Sequence, residues 1–271
     1  MRILFIGGGN MAAAMIGGMI ARGVAAADIQ AVDVLDAARD RLIQDFGILT
    51  HATFEVPSKE SDVLILAVKP QQMATVAKAL YPSITNQLVL TIAAGIRTSD
   101  LSRWLGGYGN IVRAMPNTPA LVRAGVAGLY ARSEVTENGR LAAQQLLDAV
   151  GQTVWLDDEN QLDAVTALSG SGPAYVFYFL EAMQMAGQSM GLSAEVSRVL
   201  SVQTLVGAAK LASESPESPE TLRARVTSKG GTTERALNEM EAREVKAHMI
   251  AALQAAQVRS RELGDEFGAP A

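Results

Sequence analysis

Short apolar runs alternate with amphipathic stretches over the first 158 residues. Arg2 to Ile6 is an apolar run that breaks into Gly7-Gly8-Gly9, and beyond it Met15, Ile16, Met19 and Ile20 recur at helical spacing until Gly23. Ile29 to Asp33 reads as a second strand and Ala37 to Phe46 as a helix. Asp62 to Pro70 opens with a continuous apolar run, the pattern of a strand buried on both faces of a parallel sheet. Leu88 to Gly95 repeats it, a helix runs to Leu105, and Asn110 to Met115, Gly125 to Ala131 and Gln152 to Leu156 are further strands, with a helix over Glu134 to Val150. About eight strands in alternation with helices predict an α/β fold, a Rossmann-type doubly wound sheet.

After Asp157-Asp158-Glu159 the pattern becomes helix only. Tyr175 to Met190 is apolar on nearly every side, the mark of a buried helix, and a small domain needs a second chain to cover part of it. Met183, Met185 and Met190 read as core filler. Ser193 caps the next helix, whose stripe holds Val196, Val199, Leu200, Val206 and Ala209. Pro219 to Val226 is a short helix, and the last helix is predicted over Thr233 to Leu263. The expected division is a dinucleotide-binding domain over 1–158 and an all-α domain over 159–271 for substrate binding and dimerisation.

Composition narrows the chemistry. Apolar residues make up 49% of the chain and aromatics 5%, so the core is aliphatic. A net charge of −5 offers nothing general to nucleic acid or anionic lipid. There is no cysteine, which removes disulfides, thiolate metal sites and a cysteine nucleophile, and the two histidines, His51 and His248, are far apart, so no metal site is expected. The first apolar run reads as a strand rather than a signal peptide, and Ala164 to Leu180 is too interrupted to span a membrane. A cytoplasmic location is expected.

Three stretches carry candidate chemistry. Gly7-x-Gly9-x-x-Ala12 follows a strand and opens a helix, as a dinucleotide fingerprint requires: a tight turn, a close backbone approach to pyrophosphate, and close helix–strand packing. Asp33 stands roughly 26 positions after Gly7, where a carboxylate meets the adenosine ribose and repels a 2′-phosphate, although Arg39 and Arg41 follow closely. Lys69-Pro70, Ala93-Ala94-Gly95 and the rigid loop around Asn117 lie at strand ends, where ligands sit in such folds. In the helical part, Thr227 to Glu234 joins two helices with hydroxyls and a double glycine, an anion nest sized for one carboxylate or an ordinary capping loop.

Six segments, over nearly the whole chain, resemble the pyrroline-5-carboxylate reductases. They are Gly7-Gly8-Gly9-Asn10-Met11-Ala12, Ala67-Val68-Lys69-Pro70, Ala93-Ala94-Gly95, Arg113 to Pro119, Leu168 to Tyr175, and Ser228-x-Gly230-Gly231-Thr232-Thr233. The resemblance implies an N-terminal Rossmann domain and a helical domain that interleaves with a second subunit, with homodimers assembling further to a decamer. It implies that Gly7, Gly8, Gly9, Asn10 and Met11, then Ala67, Val68, Lys69 and Pro70, then Ala93, Ala94 and Gly95, line NADPH or NADH. Asn117 belongs to the cofactor side as well, and Ser228, Gly230, Gly231, Thr232 and Thr233 hold the substrate. Many members have Cys-Ser-Pro before the double glycine where this chain has Thr227-Ser228-Lys229, and Val32 to Asp36 lacks the hydroxyl-rich loop of NADPH-preferring members. Asp33 leans toward NADH.

The implied reaction reduces 1-pyrroline-5-carboxylate to L-proline, the last step of proline synthesis. Thr233 hydrogen-bonds the ring nitrogen, and Glu159 is a candidate proton relay. Two other readings stand beside it. A β-hydroxyacid dehydrogenase of the same two-domain plan needs a lysine on the long helix, and Tyr175 to Gly191 holds none. A non-catalytic dinucleotide sensor would carry a damaged substrate loop, and this one is intact.

Overall fold

The alternation read along the chain becomes eight strands: β1 (Ile3–Ile6), β2 (Ile29–Val32), β3 (Leu49–His51), β4 (Val63–Leu66), β5 (Leu88–Thr91), β6 (Ile111–Met115), β7 (Gly125–Ala131) and β8 (Gly151–Trp155). In the computed structural model, which describes residues 1–269 apart from the side chain at position 56, they form one sheet in the order β3-β2-β1-β4-β5-β6-β7-β8. Every ladder is parallel except β6 with β7. The chain winds outward from β1 to β3, then returns to add β4 on the other side of β1. That reversal opens a crevice beyond the carboxyl ends of β1 and β4, where open α/β sheets bind ligands.

Residue alternation sorts β1 onto two cores. Ile3 and Phe5 join one apolar cluster with Met15 and Ile16 of α1 (Asn10–Ala21) and with Leu146 and Leu147 of α6 (Glu137–Asp148). Leu4 and Ile6 face the other, with Met73 and Ala77 of α4 (Pro70–Leu80) and Leu101 of α5 (Thr98–Trp104). All four residues of β1, β4 and β5 are buried, as the continuous apolar runs require. The other helices of this unit are α2 (Asp36–Phe46), α3 (Glu55–Glu60) and α7 (Gln161–Val165).

The backbone separates into two compact units, residues 1–171 with 255–271, and residues 172–254. The second holds α8 (Gly172–Ser189), α9 (Ala194–Glu214), α10 (Pro219–Arg225), α11 (Thr232–Ala242) and the start of α12 (Val245–Gly268). In the single chain, Phe177, Tyr178, Met185 and Met190 are 64–75% exposed, so the methionines read as core filler lie on an uncovered apolar surface. Val196, Val199, Leu200 and Val206 of the α9 stripe are exposed as well. No helix among the described residues is long and apolar enough to cross a membrane.

Three local features differ from the pattern reading. Strand β3 has only three residues, none fully buried, so it leaves no apolar signature. Helix α6 starts at Glu137 because the Thr136 side chain accepts from the Gly139 N–H and caps it there. The single helix expected over Thr233 to Leu263 is two, α11 and α12, broken at Arg243–Glu244, where Glu244 takes φ +53°. Neither glycine nor proline marks that break.

Candidate active site

Gly7 turns the chain out of β1 with φ +105°, and its N–H donates to the Val32 carbonyl at 2.8 Å. A β-carbon there would stand 2.7 Å from the Ala67 carbonyl oxygen, so the two loops of the crevice meet backbone to backbone. Gly9 differs: a β-carbon on it meets nothing within 4 Å. The space is open to a ligand. Gly9 is also the N-cap of α1, with no side-chain cap bond and no acidic residue in the first turn, so the helix presents N–H groups and positive charge to that space. This cradle fits a pyrophosphate. Ala12 is buried beneath it at 1% exposure, and half-buried Met11 packs on the core.

Two adjoining clefts, of about 390 and 490 Å³, share Gly7, Asp33, Val34, Val68 and Gln72. One reaches past Thr53, Phe54 and Glu55, and the other past Gly8, Gly9, Asn10, Arg41, Ala67 and Lys69. Asp33 sits where they join. Its carboxylate accepts the Gly8 N–H at 2.8 Å and the Leu35 N–H at 2.9 Å, so it also shapes the glycine loop. Arg39 donates to the Asp33 carbonyl and pairs with Asp36. Arg41 donates to the Gly8 carbonyl at 2.8 Å and to the Asn10 side chain at 3.2 Å. Gln72, on the first turn of α4, lines both clefts, and pattern reading missed it because an exposed glutamine on a helix carries no signal. Pro70 occupies the first turn of that helix.

Ala93, Ala94 and Gly95 follow β5 at the same end of the sheet, with Gly95 at φ +72°. Asn117, 8% exposed, is not among the residues lining either cleft. Its side chain accepts the Val126 N–H at 3.0 Å and donates to the Ser169 carbonyl at 3.1 Å, tying the β6–β7 connection to the turn before α8.

Glu159 is held by three donors. Arg113 reaches Oε1 at 3.0 Å, the Thr98 N–H reaches Oε1 at 2.7 Å, and the Thr98 hydroxyl reaches Oε2 at 2.6 Å. The carboxylate caps α5 and neutralises a buried guanidinium; the side chains of Arg113 and Glu159 are 5% and 19% exposed. Removing one partner of a buried ion pair strands the other. Arg113→Met is therefore expected to lower unfolding free energy by about 3 kcal/mol, read from urea denaturation. A change below roughly 1 kcal/mol would show the pair to be solvated in effect.

The Ser228–Thr233 loop belongs to the helical unit. Gly231 is the N-cap of α11 and supplies no side-chain cap, leaving the hydroxyls of Thr232 and Thr233 at its first turn. Gly230, at φ +74°, donates its N–H to Glu234 Oε2 at 2.7 Å, and Gly231 donates to the Ser228 carbonyl at 3.0 Å. Two donors expected in the nest are thus engaged within the loop. Ser228 and Thr232 are exposed and Thr233 is half-buried. Thr227 turns its hydroxyl to the Arg223 carbonyl. Among the described residues, no group of three or more His, Cys, Asp or Glu is placed to hold a metal ion.

Comparison with known proteins agrees with this layout. Residues 159–263 match a family model described as pyrroline-5-carboxylate reductase dimerisation, and residues 2–95 match one described as NADP oxidoreductase, coenzyme F420-dependent. A pyrroline-5-carboxylate reductase of Pseudomonas aeruginosa is 48% identical over 268 residues, covering 98% of each chain. Among solved structures, a pyrroline-5-carboxylate reductase from Coxiella burnetii superposes with a TM-score of 0.92 at 40% identity, over 97% of this chain and 98% of that one. A Plasmodium falciparum pyrroline carboxylate reductase with NADP bound gives 0.88 at 26% identity, over the same shares.

Proposed function

The chain belongs to the pyrroline-5-carboxylate reductases, which reduce 1-pyrroline-5-carboxylate to L-proline with a nicotinamide dinucleotide, and on that premise we propose how its own residues divide the work. The open cradle at Gly9 carries the reading: a turn of purely structural purpose has no reason to leave its helix N-terminus uncapped and clear. The sequence divides into a dinucleotide-binding domain over 1–158 and a substrate and dimerisation domain over 159–271, but in the fold residues 159–171 and the end of α12 belong with the first compact unit. The N–H groups at the start of α1 hold the pyrophosphate, with Gly7, Gly8, Asn10 and Met11 shaping the turn. Ala67 to Pro70 and Ala93 to Gly95 border the same ligand, while Asn117 braces the loop behind it.

The substrate is a cyclic imine bearing one carboxylate. The first-turn N–H groups of α11 and the hydroxyls of Ser228 and Thr232 bind the carboxylate, and Gly230 and Gly231 give it backbone access. The protonated ring nitrogen donates its hydrogen to the Thr233 hydroxyl oxygen. The reduced nicotinamide, when bound, supplies hydride to the imine carbon. A protonated imine is electrophilic without further activation, so the protein's task is positioning. Glu159 serves that task by fixing Thr98 and Arg113 rather than by moving a proton. The uncovered apolar surface of the helical unit pairs with a second copy, and five such dimers make a decamer; a cytoplasmic location suits a biosynthetic reductase.

Cofactor preference follows from Asp33. Its negative charge repels a 2′-phosphate, and the two arginines beside it are engaged, Arg39 with Asp36 and Arg41 with Gly8 and Asn10. NADH is therefore preferred. The test is initial rates of NADH and NADPH oxidation with 1-pyrroline-5-carboxylate, side by side, on the wild type and Asp33→Ser. The expected result is a wild-type preference for NADH that shifts at least roughly tenfold toward NADPH in the variant. A wild type that favours NADPH overturns the assignment of Asp33.

A further inference from the structure

The loop that follows β5 is gripped from outside the sheet by the far end of the chain. From Ala255 onward, about its last four turns, α12 belongs to the first compact unit, and beyond Leu263 it lies outside the segment matched by the dimerisation model. A β-carbon on Gly95 would stand 3.1 Å from the Phe267 ring and 3.4 Å from Leu263, so this glycine, already at φ +72°, is packed directly beneath the helix. Phe267 also joins the apolar cluster that contains Ala93 and Ile96.

Polar contacts lock the same join. Arg97 donates to Asp265 at 2.7 Å, and its guanidinium passes over Gly264, where a β-carbon would stand 3.0 Å away. Arg103, in the last turn of α5, donates to the Gly268 carbonyl at 2.6 Å. One turn earlier in α12, the buried Ser260 hydroxyl donates to Asp163 at 2.7 Å. The aromatic contact and the ion pair both fall on residues 95–97, the turn between strand and helix.

We propose that the carboxyl-terminal turns of α12 are a strap that positions the Ala93–Gly95 loop for the dinucleotide, with Phe267 and Asp265 as its positioning residues. The proposal rests on the reading that this loop borders the cofactor. A loop at a strand end has few contacts of its own to hold a left-handed glycine in place, and a displacement near 1 Å is enough to weaken binding. The strap acts on cofactor affinity and leaves the substrate loop alone.

The test measures dissociation constants for NADH and NADPH by fluorescence titration, together with kcat and the substrate KM, on the full-length chain. Phe267→Ala is expected to raise the dissociation constant for the preferred dinucleotide roughly tenfold, with kcat at saturating cofactor and the substrate KM within about twofold of wild type. Phe267→Leu should restore most of the affinity. Gly95→Ala, which strains the loop itself, separates the two levels of the argument. Weaker binding in Gly95→Ala but not in Phe267→Ala overturns the strap and leaves the loop beside the cofactor. Unchanged binding in both overturns the loop assignment and the strap with it. Should Phe267→Ala not fold, Phe267→Leu and Asp265→Asn carry the test, with an expected shift of about twofold in each; no shift in either overturns the proposal.

Discussion

Thr233→Ala is expected to lower kcat by roughly a hundredfold while leaving folding and dimerisation unchanged. Thr233 is the second residue of α11, where alanine is a better helix former than threonine, so the substitution does not weaken the helix. The N-cap Gly231 takes no side-chain bond, so the Thr233 hydroxyl is not the helix cap either. On the proposed division of roles, what the variant removes is the oxygen that accepts the ring N–H and holds the imine carbon toward the nicotinamide face. That contact matters most as the nitrogen's bonding changes from planar to pyramidal, so its loss falls on turnover. Stopped-assay rates at saturating imine and cofactor read it directly. A kcat equal to wild type with only a raised KM would make Thr233 a binding residue with no part in the chemical step. Thr233→Ser, which keeps the oxygen, should recover most of the loss.

The contrast between the two site regions explains what was legible in the chain. Gly7, Gly9 and Ala12 sit at fixed offsets because backbone geometry demands them, and geometry of that kind is written in residue type. The buried runs of β1, β4 and β5 are equally plain, since both faces of a parallel strand must be apolar. Gln72, the Asn117 bridge and the Glu159 cluster left no such mark. Each depends on which polar groups the fold brings together across long stretches of chain, as when Glu159 meets Thr98 and Arg113. A carboxylate in an acidic run looks the same whether it is solvated or clasped by a guanidinium. The break at Glu244 escaped for a local reason: a non-glycine residue in left-handed geometry is set by its surroundings rather than by its identity. Exposed apolar residues on α8 and α9 were legible as apolar, but their burial requires a surface that one chain does not supply.

Gly7→Ala and Gly9→Val form a pair that separates turn geometry from ligand clearance. At Gly7 an added β-carbon meets main-chain atoms of Ala67 at 2.7 and 2.8 Å, and the φ of +105° is itself unfavourable for alanine. No rotamer relieves a backbone clash, so β1 and β4 must part at their carboxyl ends. A loss of about 3 kcal/mol in stability is expected, close to a 10 °C fall in Tm for a unit of this size, together with weakened dinucleotide binding. At Gly9 the same argument runs the other way. The added side chain enters open space and costs only valine's poorer helix capping, so stability should stay within about 1 kcal/mol of wild type. Its two methyl groups would fill the cradle in front of the α1 N-terminus, and the dissociation constant for NADH should rise by roughly a hundredfold or more. Titration of both variants, each checked by thermal melting, distinguishes the roles. If Gly9→Val melts normally and still binds the dinucleotide as wild type does, the space in front of α1 is not where the pyrophosphate lies. The cofactor would then have to enter the crevice from the Thr53–Glu55 side alone.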